Sequence, residues 1–286
     1  MSRLDHNRGR SDRPDASGPI LVSILSGKGG VGKSVIAFNL AERAAALGFR
    51  TLLVDADLTC GNQHILANID PAEGLEAFAL ERADLADSVV AYGDNLAILA
   101  RAATGPIESL ATGSQLARFA ARVRQQAGSY DLVVIDHSSG ISGSAAVYAS
   151  ASDVNLMVMI PELTSIADCY GLCKYLYESN GATDCRLLLN RVESDSESEY
   201  MWSRFSAVAE QFLGRVPGIA GALTEDRAMR RSVAEQTPLA VICPESLVLQ
   251  SLETVIRKLG LSFRTQTTVN QSQEINNVTA TADIRE

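Results

Sequence analysis

One stretch constrains this 286-residue chain more than any other: SGKGGVGKS, Ser26–Ser34. The apolar run Ile20–Leu25 leads into it, and a helical pattern, Lys33–Leu47, leaves it. Gly27-Lys28-Gly29-Gly30-Val31-Gly32-Lys33-Ser34 matches GxxxxGK followed by Ser or Thr. A strand before and a helix after are the context in which that pattern builds a phosphate-binding loop. The glycines let backbone N–H groups approach phosphate oxygens, and the helix N-terminus adds the positive end of its dipole. In such a loop Lys33 bridges the β- and γ-phosphates of a nucleotide, and the Ser34 hydroxyl ligates Mg²⁺. Lys28 is a second lysine that this pattern does not require.

The rest of the chain extends that strand–loop–helix unit. Strand-like runs fall at Ile20–Leu25, Thr51–Asp55, Leu96–Leu99, Leu132–Ile135, Val154–Ile160, Arg186–Leu189 and Ile219–Leu223. Most are continuous apolar runs, as expected of parallel strands buried on both faces. Helical spacing lies between them: Leu116, Phe119, Ala120 and Val123 in one stretch, and Met201, Phe205, Val208 and Phe212 in another. Alternating strands and helices imply right-handed βαβ units. The expected fold is a single α/β domain over residues 19–262, a doubly wound, mostly parallel sheet flanked by helices. Residues 1–18 and 263–286 are polar and aperiodic and read as disordered tails.

Composition narrows the class. The net charge of −9 and pI near 5.0 speak against non-specific nucleic-acid binding, which needs a basic face. The five cysteines include no CxxC pair, which fits a reducing, cytoplasmic chain. Cys169 and Cys173, four apart in a helical stretch, read as core rather than metal ligands. The N-terminus lacks an apolar leader, and no window approaches the roughly 18 apolar residues of a membrane span.

Acids stand at strand ends, where ligands bind in open α/β sheets. LLVDAD places Asp55 and Asp57 after the second strand, and DLVVID ends in Asp136. Two acids at such a place can handle Mg²⁺ and water. RLLLNR ends a strand at Asn190, whose amide offers both a donor and an acceptor to an adenine edge. The guanine-reading pattern NKxD is absent, which favours ATP over GTP.

KGGVGKS resembles the deviant Walker A motif of the MinD/ParA superfamily of P-loop ATPases, and the resemblance runs from about Ile20 to Leu259. It implies that Lys28 is the signature lysine, reaching across a nucleotide-sandwich homodimer to the partner's phosphates. It implies that Asp57 positions the attacking water, that Asp55 holds the magnesium shell or its own loop, and that Asp136 holds a Mg²⁺-bound water. Gly140 matches a switch glycine whose N–H faces the γ-phosphate, and Asn190 with Arg191 matches the adenine-binding pair. His137-Ser138-Ser139 and Thr224 depart from the usual switch and base-pocket residues.

IDHSSGISGSA, PELTSIADCYGL and EDRAMRRSVAEQTPL resemble the FlhG/FleN/YlxH flagellar-number regulators, with division-site MinD proteins sharing much of the pattern. In the second of these, Thr164 or Ser165 is expected to cap a helix, with Asp168 completing the box. The resemblance implies an ATP- and Mg²⁺-dependent dimerisation switch acting through a regulatory protein partner. Membrane-cycling relatives end in a basic amphipathic helix. Here Leu247–Leu259 reads instead as the closing helix of the domain, leaving peripheral membrane contact without a clear anchor. Two other readings are a ParA-type DNA-binding ATPase using Arg227, Arg230 and Arg231, and a scaffold that binds nucleotide without turnover.

Overall fold

The structure, a computed structural model, describes residues 18–57, 61–102 and 113–261. The expected tails, apart from Gly18, lie outside these residues. The chain runs β1 (Ile20–Leu25), α1 (Lys33–Ala46), β2 (Thr51–Asp55), α2 (Gln63–Leu66), α3 (Gly74–Ala79), α4 (Leu85–Ser88), β3 (Val90–Tyr92) and β4 (Leu96–Leu99). It continues with α5 (Gly113–Gln126), β5 (Leu132–Asp136), α6 (Gly143–Ala151), β6 (Val154–Met159), α7 (Leu163–Ser179) and β7 (Cys185–Val192). The last elements are α8 (Asp195–Leu213), β8 (Gly218–Thr224), α9 (Arg227–Ala234), α10 (Leu239–Ile242) and α11 (Leu247–Lys258).

These strands form one sheet in the order β3-β4-β2-β5-β1-β6-β7-β8. Every pair is parallel except β3 with β4. The sequence pattern did not show β3: it has three residues, VAY, none fully buried, so it carries no continuous apolar run.

Both faces of the sheet are covered, and the period of two divides each strand between them. Val22 and Ile24, Leu132 and Val134, and Leu156 and Val158 face α1 and α11. Their neighbours Leu21, Val133 and Ile135 pack with α3, α5 and Tyr148 of α6. Leu25, Met157 and Met159 join α7 and α8, around Cys169, Cys173, Met201 and Phe205. Fully burying one such aliphatic side chain stabilises the fold by about 1.5–3 kcal/mol.

Cys169 and Cys173 are core residues, as expected. Phe212, in helical register with Met201 and Phe205, is not: it is 62% exposed near the end of α8, its ring edge-on to Tyr170 of α7. The expected cap of α7 also fails. The helix begins at Leu163, one residue before Thr164, with Glu162 as its N-cap residue. Ser165 instead accepts from the N–H of Ile160 at 3.2 Å, pinning the preceding strand end.

Candidate nucleotide site

β1 lies between β5 and β6, so its carboxyl end opens where the sheet changes direction. The loop Ser26–Gly32 leaves there and feeds α1. Gly32, the N-cap residue of α1, has φ 95°. A Cβ on it would also lie 2.7 Å from Asn190 Nδ2, so only glycine lets β7 press on the loop. A Cβ on Gly27 would lie 2.2 Å from the Asp168 carbonyl oxygen, which fixes the loop against α7 in the same way. Gly29, Gly30 and Val31 complete the turn.

The two lysines of the loop diverge. Lys33 is buried, and its ammonium donates to Ser139 Oγ at 2.8 Å. Lys28 lies on the outer side, where Nζ meets Glu162 Oε2 at 2.5 Å, with over a third of its side chain exposed. That contact holds the Glu162 carboxyl below its ordinary value.

Asp55 and Asp136 are partners in the β2–β5 register, and both are buried. Burial, aided by the charge of Asp136, raises the Asp55 carboxyl to about 7. Burial also raises Asp136, against the lowering effects of the Ser34 hydroxyl beside it, the Gln63 hydrogen bond and the Lys33 charge. Asp55 Oδ1 accepts from the Asp57 N–H at 3.3 Å, and Oδ2 accepts from the Gln63 N–H at 3.0 Å. Of the two roles expected for Asp55, holding the loop is the one its hydrogen bonds serve. Asp136 Oδ1 is buried with no hydrogen-bond partner.

This donor set fits magnesium. The cation commonly uses one or two carboxylates, waters and substrate phosphates rather than an all-protein cage. Among the described residues no group of three or more His, Cys, Asp or Glu is arranged to hold a metal ion. A hydroxyl at Ser34 and an unpartnered carboxylate oxygen on Asp136 are what a hydrated Mg²⁺ bound to phosphates requires.

Gly140 takes φ 100°, but its N–H donates to the Ser26 carbonyl at 2.9 Å. This contact ties the segment after β5 to the loop after β1. His137, the departure beside it, is buried beneath the site. Its Nε2 meets Ser23 Oγ at 3.0 Å, and its ring stands edge-on to Tyr148. Burial, then the Lys33 charge, lowers the imidazole to about 3, so it is neutral.

Beyond Gly32 opens a pocket of about 270 Å³ lined by Ile36, Asn190, Arg191, Thr224, Asp226 and Met229, among others. Asn190 Nδ2 donates to the Val31 carbonyl at 2.7 Å, so this side chain both props the loop and borders the pocket. Arg191 sits at φ 60° and lies 3.8 Å from Glu225. Asn190 and Arg191 lie within β7, not beyond its end. Sequence reasoning missed Gln63. It is fully buried, and its Nε2 donates to Asp136 Oδ2 at 2.9 Å and to the Ser34 carbonyl at 3.0 Å. A glutamine in a nominal switch loop carries no pattern that would have singled it out.

A glycine loop at the end of a central parallel strand, with acids on two neighbouring strands, defines a P-loop nucleotide-binding protein. The second, outward lysine marks the deviant form of that loop. Residues 22–270 match the CobQ/CobB/MinD/ParA nucleotide binding domain family, and the chain belongs to it. It is similar to the antiactivator FleN of Pseudomonas aeruginosa, 29% identical over 240 residues, covering 84% of this chain and 85% of FleN. It is also similar to the flagellum site-determining protein YlxH of Helicobacter pylori, 25% identical over 235 residues, covering 82% of this chain and 79% of YlxH. In fold it matches the septum site-determining protein MinD complexed with Mg-ADP from Pyrococcus horikoshii. That match has a TM-score of 0.70 at 22% identity and covers 84% of this chain and 96% of the other. Among the described residues no helix is long and apolar enough to cross a membrane.

Proposed function

We propose that this chain is an ATPase that works as an ATP-dependent dimerisation switch, acting through a regulatory protein partner to set flagellar number or placement. The divergence of the two loop lysines carries the reading. Lys33 turns into its own loop, where it serves its own phosphates. Lys28 stands on the outer face, where a second copy can be reached. Ile141 and Leu163, 52% and 63% exposed and next in sequence to Gly140 and Glu162, give that face an apolar component. The flagellar assignment rests on the similarity to FleN and YlxH.

In this reading the loop N–H groups and Lys33 bind the phosphates, Ser34 and Asp136 hold the magnesium shell, and Asn190 with Arg191 borders the adenine. Bound magnesium supplies charge neutralisation at the phosphates. Asp57 orients water. Lys28 crosses to the partner's phosphates, as an arginine finger would, which requires it to leave Glu162. No separate general base is needed, because phosphoryl transfer depends mainly on positioning and charge stabilisation. Turnover is accordingly slow and dimer-dependent. Partners read the nucleotide state through the switch loops that carry Asp57 and Gly140.

The test is ATPase activity measured beside molecular mass in solution. Asp57→Ala should stay dimeric with ATP and lose turnover, while Lys33→Ala should lose both. An Asp57→Ala protein that hydrolyses ATP at the wild-type rate refutes the role given to Asp57. The DNA-binding alternative is less well supported. Arg230 is paired with Glu225 and Arg231 with Glu235, so the basic helix α9 is largely neutralised. Salt-dependent retention of the ATP-bound protein on DNA would reverse that judgement.

A further inference from the structure

Gln63 is buried to 0% exposure at the start of α2, in the loop that carries Asp57. A buried glutamine with no catalytic chemistry of its own calls for an explanation, and its hydrogen bonds provide one. Its side-chain amide donates at once to Asp136 Oδ2 (2.9 Å) and to the Ser34 carbonyl (3.0 Å). Both partners are acceptors, so the NH₂ group must face them and the amide orientation is fixed by chemistry. Its main-chain N–H donates to Asp55 Oδ2 at 3.0 Å, while the other oxygen of Asp55 holds the Asp57 N–H. One residue thus joins the loop-to-helix junction at Ser34, the strand acid Asp136 and the Asp55–Asp57 turn.

Within this cluster, two buried acceptors have no donor among the described residues: Asp136 Oδ1 and Gln63 Oε1. A buried acceptor left unpaired is costly unless some ligand fills it. A hydrated magnesium ion presents water hydrogens to such acceptors.

We propose that Gln63 is a positioning residue of the magnesium site: it holds Asp136 by one oxygen so that the other is presented to the hydrated cation, and it transmits occupancy of that site to Asp57. This deepens the ATPase reading above and rests on its nucleotide site. Outer residues that orient a metal's carboxylate typically alter metal affinity 10–100-fold when replaced. Gln63→Leu keeps the bulk and removes the amide.

The experiment is a Mg²⁺ titration of the binding of a fluorescent ADP analogue to the full chain, with EDTA as the metal-free reference. Gln63→Leu should still bind the analogue in EDTA, and it should need about 10–100 times more Mg²⁺ to reach half of the metal-dependent enhancement. A folded Gln63→Leu protein with the wild-type Mg²⁺ midpoint overturns the proposal.

A second measurement uses the wild type and so does not depend on the variant folding. Adding Mg²⁺ to the ADP-bound protein should shift the side-chain amide resonances of Gln63 and the backbone amide of Asp57 together. Resonances of Gln63 that stay in place overturn the proposal. A wild-type protein that binds no nucleotide overturns the nucleotide reading itself, and the role of Gln63 with it. Binding without a Gln63 effect overturns only the latter.

Discussion

Asn190→Ala separates a contact that the structure shows from the recognition role proposed for the same side chain. The first is mechanical. Asn190 Nδ2 donates to the Val31 carbonyl at 2.7 Å, in a partly buried setting. Removing that bond should destabilise the protein by about 0.5–1.5 kcal/mol. The upper part of the range is expected, because Val31 itself is 1% exposed. The second, proposed above, is recognition of the adenine. Asn190 lines the pocket beside Gly32, and an amide that pairs a base edge rejects a mismatched edge by leaving buried polar groups unpaired. Loss of one or two such hydrogen bonds corresponds to about 1–3 kcal/mol, or roughly 5–150-fold in affinity.

The assays are urea unfolding without nucleotide, and ADP and GDP affinity measured in parallel. The variant should bind ADP more weakly and lose most of its preference for ADP over GDP. If stability falls as expected but the ADP:GDP ratio is unchanged, Asn190 is a prop for the loop and the adenine role is wrong. Gly32→Ala gives the control. Its Cβ would displace Asn190, so the double variant should be less impaired than the two single losses combined.

Other consequences follow from the buried groups. His137, lowered from 6.5 to about 3, contributes stability that is complete above pH 6.5 and is lost as pH falls toward 3. Asp55, raised from 3.8 to about 7, acts with the opposite sign: the fold gains as pH falls from 7 toward 3.8. Between pH 6.5 and 4 the two offset each other, and each contributes up to about 1.4 kcal/mol per pH unit. Unfolding curves of His137→Phe should therefore show rising stability on acidification, and those of Asp55→Asn a steeper fall than wild type. A His137→Phe profile parallel to wild type contradicts the neutral, buried histidine. Phe205→Ala, at 0% exposure between α8 and the sheet, should lose about 3–5 kcal/mol in denaturant unfolding. A loss below about 1 kcal/mol would mean that this face is loosely packed.

The parts of this molecule that were legible in sequence share one property: their signal is local. Apolar runs located seven of the eight strands, six of them inside the sheet and β8 at its edge, and the glycine loop between β1 and α1 located the candidate site. The acids at strand ends followed from the strands. What escaped either carried too weak a local signal or depended on contacts that only the fold creates. β3 pairs antiparallel at an edge and carries little apolar signal. The start of α7 was misjudged because Thr164 and Ser165 have capping chemistry, yet the helix already includes them. Ser165 serves Ile160 instead. The N–H of Gly140 donates to Ser26, more than a hundred residues earlier, a contact that no local pattern encodes. Gln63 is the clearest case. Its importance comes from Ser34, Asp55 and Asp136 meeting around it, and no spacing within its own loop encodes that meeting.

The claim that each subunit completes the other's site is tested most directly by complementation. Lys28→Ala and Asp57→Ala are each expected to be inactive alone. In a mixed dimer, the Lys28→Ala subunit keeps its own Asp57 and receives Lys28 from its partner, so one site is whole. Equal mixing makes about half of the dimers mixed, each with one working site, so roughly a quarter of wild-type ATPase activity should return. If Lys28 serves only its own subunit's phosphates, neither site in the mixed dimer is whole. The mixture would then stay as inactive as its components, contradicting the account.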